Sequence, residues 1–135
     1  MTASASTSTY LARLIGPVLA VVGVSMLLSP SGYMAAVADV LRSPASLYIA
    51  CILGLLGGIA LVLAHNVWAA DWRVIITLLG WISIFDSAFF ILFPVNAERF
   101  WSPLISSPLL PLWGGVIVVL LGAALSYFGY ASRRA

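Results

Sequence analysis

Polar and apolar positions are sharply segregated along this chain. Four blocks are almost continuously apolar: Tyr10 to Ser29, Leu47 to Ala64, Arg73 to Phe93 and Leu109 to Tyr130. Each is close to the ~20 residues that cross a bilayer core as a helix at about 1.5 Å per residue. The pattern predicts an all-α membrane protein with four transmembrane helices. No stretch between the blocks is long enough for a soluble domain. Any chemistry is therefore confined to the membrane or its surface.

The connections carry a pattern of their own. Tyr33, Met34, Val37, Val40 and Leu41 fall on one helical stripe, with Asp39 and Arg42 off it. Ser31 can cap the start, and Pro44 ends the turn. The segment reads as a short interfacial helix lying on the membrane surface, with an ordinary polar loop as the alternative. Asn96 to Ser102 reads alike, with Asn96 as the cap and Phe100 and Trp101 as apolar anchors.

The pattern also repeats. Gly16, Pro30, Ser43, Pro44 and Gly58 recur at the same spacing as Gly80, Pro94, Ser107, Pro108 and Gly122. Leu14, Leu28, Leu56, Ala60 and Leu61 likewise match Leu78, Leu92, Leu120, Ala124 and Leu125. Gly and Pro matches weigh more, because they mark backbone geometry rather than apolarity. They predict two tandem hairpin units, residues 10–66 and 67–130. Two spans per unit give both units the same orientation, a parallel repeat about the membrane normal. Residues 1–9, rich in Ser and Thr, read as a disordered tail, and 131–135 as a basic one.

Composition narrows the classes. Apolar residues make up 63% of the chain and charged ones 7%, against about 25% charged in soluble domains. The bases are all Arg and form no run, so nucleic acid is excluded as a partner. Cys51 is the only cysteine, which rules out an internal disulfide and a thiolate metal cluster. Arg13, the first apolar block and Ala36-Val37-Ala38 resemble a cleaved signal peptide. The long gap before that small-residue site, and the counterpart of the first block in the third, argue for a retained helix.

Charge sets the expected orientation. With four spans, Arg13, Arg73, Arg133 and Arg134 share the side of the termini, and Arg42 and Arg99 lie opposite. The positive-inside rule then places both termini in the cytoplasm, with the interfacial helices outside. Tyr10, Trp68, Trp72, Tyr127 and Tyr130 mark the inner boundary, and Tyr33, Tyr48, Trp101 and Trp113 the outer one.

Small residues line the predicted helices, notably Gly54, Gly58, Gly115 and Gly122. They allow close helix approach in lipid, either inside one bundle or at a homodimer face. Asp86 needs the most explanation. It lies just past the middle of the third block, where a charge costs roughly 2.5–3.5 kcal/mol on insertion scales. Thr77, Ser83 and Ser87 lie on adjoining rows of that helix, and Trp81 offers an indole N–H nearby. Three readings stay open: a hydrogen-bonded strut inside the bundle, a contact with a partner subunit, or a proton or cation site. The repeat counterpart of Asp86 is Val22, so no symmetric acidic pair forms. His65 and Asn66 end the second block, followed by Trp68; they read as a helix cap or an interface. No catalytic set, phosphate loop or metal-ligand spacing is present, and no cofactor is expected.

The stretch His65-Asn66-Val67-Trp68, then Asp71-Trp72-Arg73, Ile76 to Trp81 and Phe93-Pro94 resembles a group of small four-helix bacterial integral membrane proteins. The group carries no established activity, so the resemblance implies a bacterial inner membrane and no functional residue. The expected function is non-enzymatic: association, as an accessory subunit or a homo-oligomer, possible as a homodimer or within a larger membrane complex. The alternative is a small channel or a proton- or cation-coupled carrier centred on Asp86.

Overall fold

A computed structural model describes residues 2–68 and 70–131, with the side chains of 2–5, 97 and 98 left out. Six helices follow one another: α1 (Thr2–Leu28), α2 (Pro30–Arg42), α3 (Pro44–Ala64), α4 (Arg73–Leu92), α5 (Pro94–Ile105) and α6 (Leu110–Ala131). Among the described residues there is no strand. Four helices are long and apolar enough to cross a membrane: α1 from Ser6, α3, α4 and α6. The expected basic tail lies almost wholly outside the described residues.

Proline punctuates the chain as the sequence requires. Pro30, Pro44 and Pro94 each open a helix, where the missing N–H is not needed. This moves two boundaries. α2 starts from Ser29 rather than from a Ser31 cap, and α5 starts from Phe93 rather than from Asn96. The cap of α3 is the Ser43 hydroxyl, which accepts from the Ser46 N–H at 3.4 Å.

The start of α1 is the clearest departure. The helix begins at Thr2, so residues 6–9 are ordered helix and not a tail. Ser8 is fully buried. The buried seam of α1 runs Ser8, Ala12, Gly16, Gly23, Met26, and Ser8 simply continues its helical phase.

The helices pair as α1 with α6 and α3 with α4. The hairpin expected within each half is not the main packing unit. The thirteen-residue α2 separates α1 from α3, whereas a short loop folds α4 directly back on α3. Glycine sets both crossings. A Cβ on Gly58 would lie 2.9 Å from the Gly80 carbonyl oxygen, and one on Gly122 would lie 2.8 Å from that of Gly16. Side chains at these points would force the backbones apart. Gly54 meets Ser83 and Ser87, and Gly115 meets Met26 and Leu27. All four packing glycines thus make contacts within the monomer.

The two pairs are joined at both ends. Near the termini, Trp72, which precedes α4, stacks on Phe128 of α6 with centroids 5.5 Å apart. Beside it, within the α1–α6 pair, Arg13 donates to the Gly129 carbonyl at 2.7 Å, satisfying a carbonyl in the last turn of α6. At the opposite end α2 packs on α5, and Leu41 and Trp101 cover a cluster of Leu47, Cys51 and Phe90. Between these ties, an apolar groove of about 500 Å³ runs between α1 and α3.

Candidate functional site

The polar stripe expected along α4 divides into two separate sites. The first lies near the termini. Thr77 and Ser8 are fully buried and His65 is 2% exposed. Ser8 Oγ lies 2.6 Å from His65 Nε2, and His65 Nδ1 lies 3.3 Å from Thr77 Oγ1. The Thr77 hydroxyl accepts from the Val67 N–H at 3.1 Å and donates to the Val67 carbonyl at 3.0 Å. With its proton so placed, Thr77 accepts from Nδ1–H, and Nε2 accepts from the Ser8 hydroxyl. This arrangement suits a neutral imidazole at His65. Burial pushes its pKa below the ordinary value of 6.5, in keeping with that form.

A hydroxyl 2.6 Å from an imidazole has the geometry of a nucleophile and its base. Here all three groups are sealed from solvent and lipid, so no substrate can reach them. The network is a clasp. It ties the first turns of α1 to the loop between α3 and α4 and satisfies the backbone of that loop. His65 is thus not an interface residue. Its backbone N–H closes α3 on the Leu61 carbonyl at 2.7 Å. Asn66 accepts from the Trp68 indole at 2.8 Å, and both residues are exposed. Beyond the loop, Asp71 accepts from the Arg73 backbone and guanidinium, which holds its carboxyl below the usual range.

The second site holds Asp86. It lies in a recess of about 270 Å³ lined by Ala50, Cys51 and Gly54 of α3, Ser83, Ser87 and Phe90 of α4, and closed above by Leu41 and Trp101. Neither α1 nor α6 contributes. Asp86 is exposed at the open side of the recess, and its carboxylate makes no hydrogen bond or ion pair among the described residues. Ser83 does not serve it, because its hydroxyl donates to the Gly54 carbonyl at 2.8 Å. Ser87 is 5% exposed, lines the recess and has no hydrogen-bond partner among the described residues. Trp81 is not part of the site: it stacks on Phe85, and its buried indole N–H has no partner among the described residues.

Thr77 is the residue that sequence reasoning misplaced, and Ser8 the one it missed. Both belong to the clasp. The signal for Ser8 was its place on the seam that Ala12 and Gly16 continue. Among the described residues no group of His, Cys, Asp and Glu is placed to hold a metal ion. No family model, curated protein or solved structure matches the chain.

Proposed function

We propose that this protein acts by association within the bacterial inner membrane, as an accessory subunit or a homo-oligomer, with no chemistry of its own. The observation that carries this reading is the Asp86 carboxylate, exposed on the open side of α3–α4 and without a partner among the described residues. A carboxylate facing hydrocarbon costs several kcal/mol unless another group satisfies it. An assembly partner supplies that group. Ile82, Phe85, Phe89 and Leu92 extend the same exposed side of α4 as a seat for a helix.

A proton- or cation-coupled carrier is the second reading, favoured by the open access to Asp86. Against it stands the lack of a polar route onward. Ser83 is committed to Gly54, and Thr77, the next polar residue of α4 towards the termini, is sealed in the clasp.

The reading keeps the parallel repeat, with both termini in the cytoplasm. Gly16–Gly122 and Gly80–Gly58 are equivalent contacts if residues 14–64 and 78–128 exchange places. Reporter fusions at the C-terminus and near Ser46 should report opposite sides, with the C-terminus inside.

Photo-crosslinking in membranes tests the association. A photoreactive residue at Phe89, beside the recess, should give a discrete protein adduct, and one at Ile117 of α6 should not. Lipid adducts alone at Phe89, with a pH-dependent ion flux in proteoliposomes that Asp86→Asn abolishes, would establish the carrier instead.

A further inference from the structure

We infer that the recess on α3–α4 receives a primary ammonium, the end of a lysine side chain from a transmembrane helix of a different chain. This rests on the association reading and names what the partner brings.

The acceptors come first. Asp86 offers two carboxylate oxygens with no partner among the described residues, and Ser87, itself 5% exposed, offers a hydroxyl bonded to nothing described. Three acceptor sites converge on a space whose other walls are apolar or aromatic. An ammonium has three donors and a compact charge, which matches that number. Phe90 and Trp101 line the same space, and aromatic rings attract cations.

Size and shape select a side chain over a whole ligand. The recess, about 270 Å³, stands at the lower edge of the range of ligand pockets, roughly 300–1,000 Å³. It opens sideways, and the exposed row of Ile82, Phe85, Phe89 and Leu92 runs on past it. A helix laid along that row buries it while one side chain enters the recess.

A second copy does not fit. The chain has no Lys; Arg73 lies at a helix end, Arg42 and Arg99 in the α2 and α5 segments, Arg133 and Arg134 in the tail, and Arg13 seven residues inside the first span. Asp86 is six residues from the end of α4 and thirteen from its start, about 9 Å and 20 Å deep. In a second copy of the same orientation Arg13 lies about 10 Å from the terminal end of its span, against about 20 Å for Asp86, and its guanidinium is held by the Gly129 carbonyl. Within the chain Arg13 is held on Gly129 and Arg73 on Asp71, and Arg42 lines the hollow between α2 and α5.

The test uses the full chain in lipid nanodiscs and two synthetic polyleucine transmembrane peptides. One carries a single Lys about 9 Å from one end, and the other Leu there. Binding is read by energy transfer from the protein's tryptophans to a dansyl group on the peptide. The Lys peptide should bind about tenfold more tightly than the Leu peptide. Asp86→Asn should remove that preference, and Asp86→Glu should keep it. Equal binding of the two peptides to the wild type, or a preference that survives Asp86→Asn, would overturn the inference. So would octylammonium alone displacing the Lys peptide completely, which would assign the recess to a small lipophilic cation. A crosslinked partner at Phe89 without lysine preference would sink this inference and leave the association reading standing.

Discussion

Gly58 and Gly80 bring α3 and α4 together so closely that a methyl group on Gly58 would meet the Gly80 carbonyl oxygen at 2.9 Å. The same added methyl would also lie 2.9 Å from Ile84 Cγ1 and 3.0 Å from the Ile84 nitrogen. Backbone atoms cannot step aside, so the helices must separate. Gly58→Ala should destabilise the protein by about 1–3 kcal/mol. Gly122→Ala should act alike on α1–α6, since its Cβ would meet the backbone of Gly16 and Ala20. Gly57→Ala is the control: its Cβ would meet nothing within 4 Å, and Ala is the better helix former by up to ~1 kcal/mol. Thermal unfolding in detergent should rank Gly57→Ala at or above wild type and the other two below it. A Gly58→Ala variant as stable as wild type would refute the close crossing.

The clasp makes a prediction at Ser8. Ser8→Ala removes the partner of His65 Nε2 and leaves that nitrogen buried and unsatisfied. The cost should be about 1–3 kcal/mol. Removal of residues 1–9 should cost at least as much, measured by the same melts. A deletion without effect would return this segment to the tail that its composition suggests.

Acidity should loosen the same clasp. Burial holds the pKa of His65 below its ordinary 6.5 in the folded protein. The unfolded chain therefore binds the proton first as pH falls. The stability due to neutral His65 is complete above about pH 6.5 and is lost as pH falls through 6.5 towards the lower folded value. Asp71, also depressed, acts only below the ordinary carboxylate range and does not confuse this window. Melting temperature should fall between pH 7 and 5 in the wild type. In His65→Gln the fall should be much reduced, at lower overall stability. Parallel pH profiles for the two proteins would show that His65 is not the group responsible.

Asp86 should be reachable from lipid. A hydrophobic carbodiimide applied to the purified protein should modify it, as seen by mass spectrometry of the α4 peptide. Asp86→Asn should remove that adduct. The other acids lie outside the four spans and serve as water-side controls. A purified protein in which Asp86 resists the reagent while a water-soluble carbodiimide reaches it would place the recess in water and favour the carrier.

The sequence by itself determined the four spans, the two connecting helices and the glycines at the crossings. Length and apolarity fix a span, and a Pro or Gly constrains backbone wherever it falls, so these features need no knowledge of neighbours. It also marked Asp86 as anomalous, because a charge near the middle of a span costs roughly 2.5–3.5 kcal/mol. Only the tertiary structure decided who meets whom. Thr77 and Ser83 lie six residues apart on α4, yet one faces His65 and the other the Gly54 carbonyl. Helical phase says which residues share a side of a helix and nothing about which helix covers that side. The pairing of α1 with α6 over α3 is a non-local choice of the same kind. It follows from the spacing imposed by α2 and from close backbone approach at Gly16 and Gly122. Ser8 shows the limit most plainly: a polar residue in a polar segment became core, because a histidine 57 positions away needed a donor.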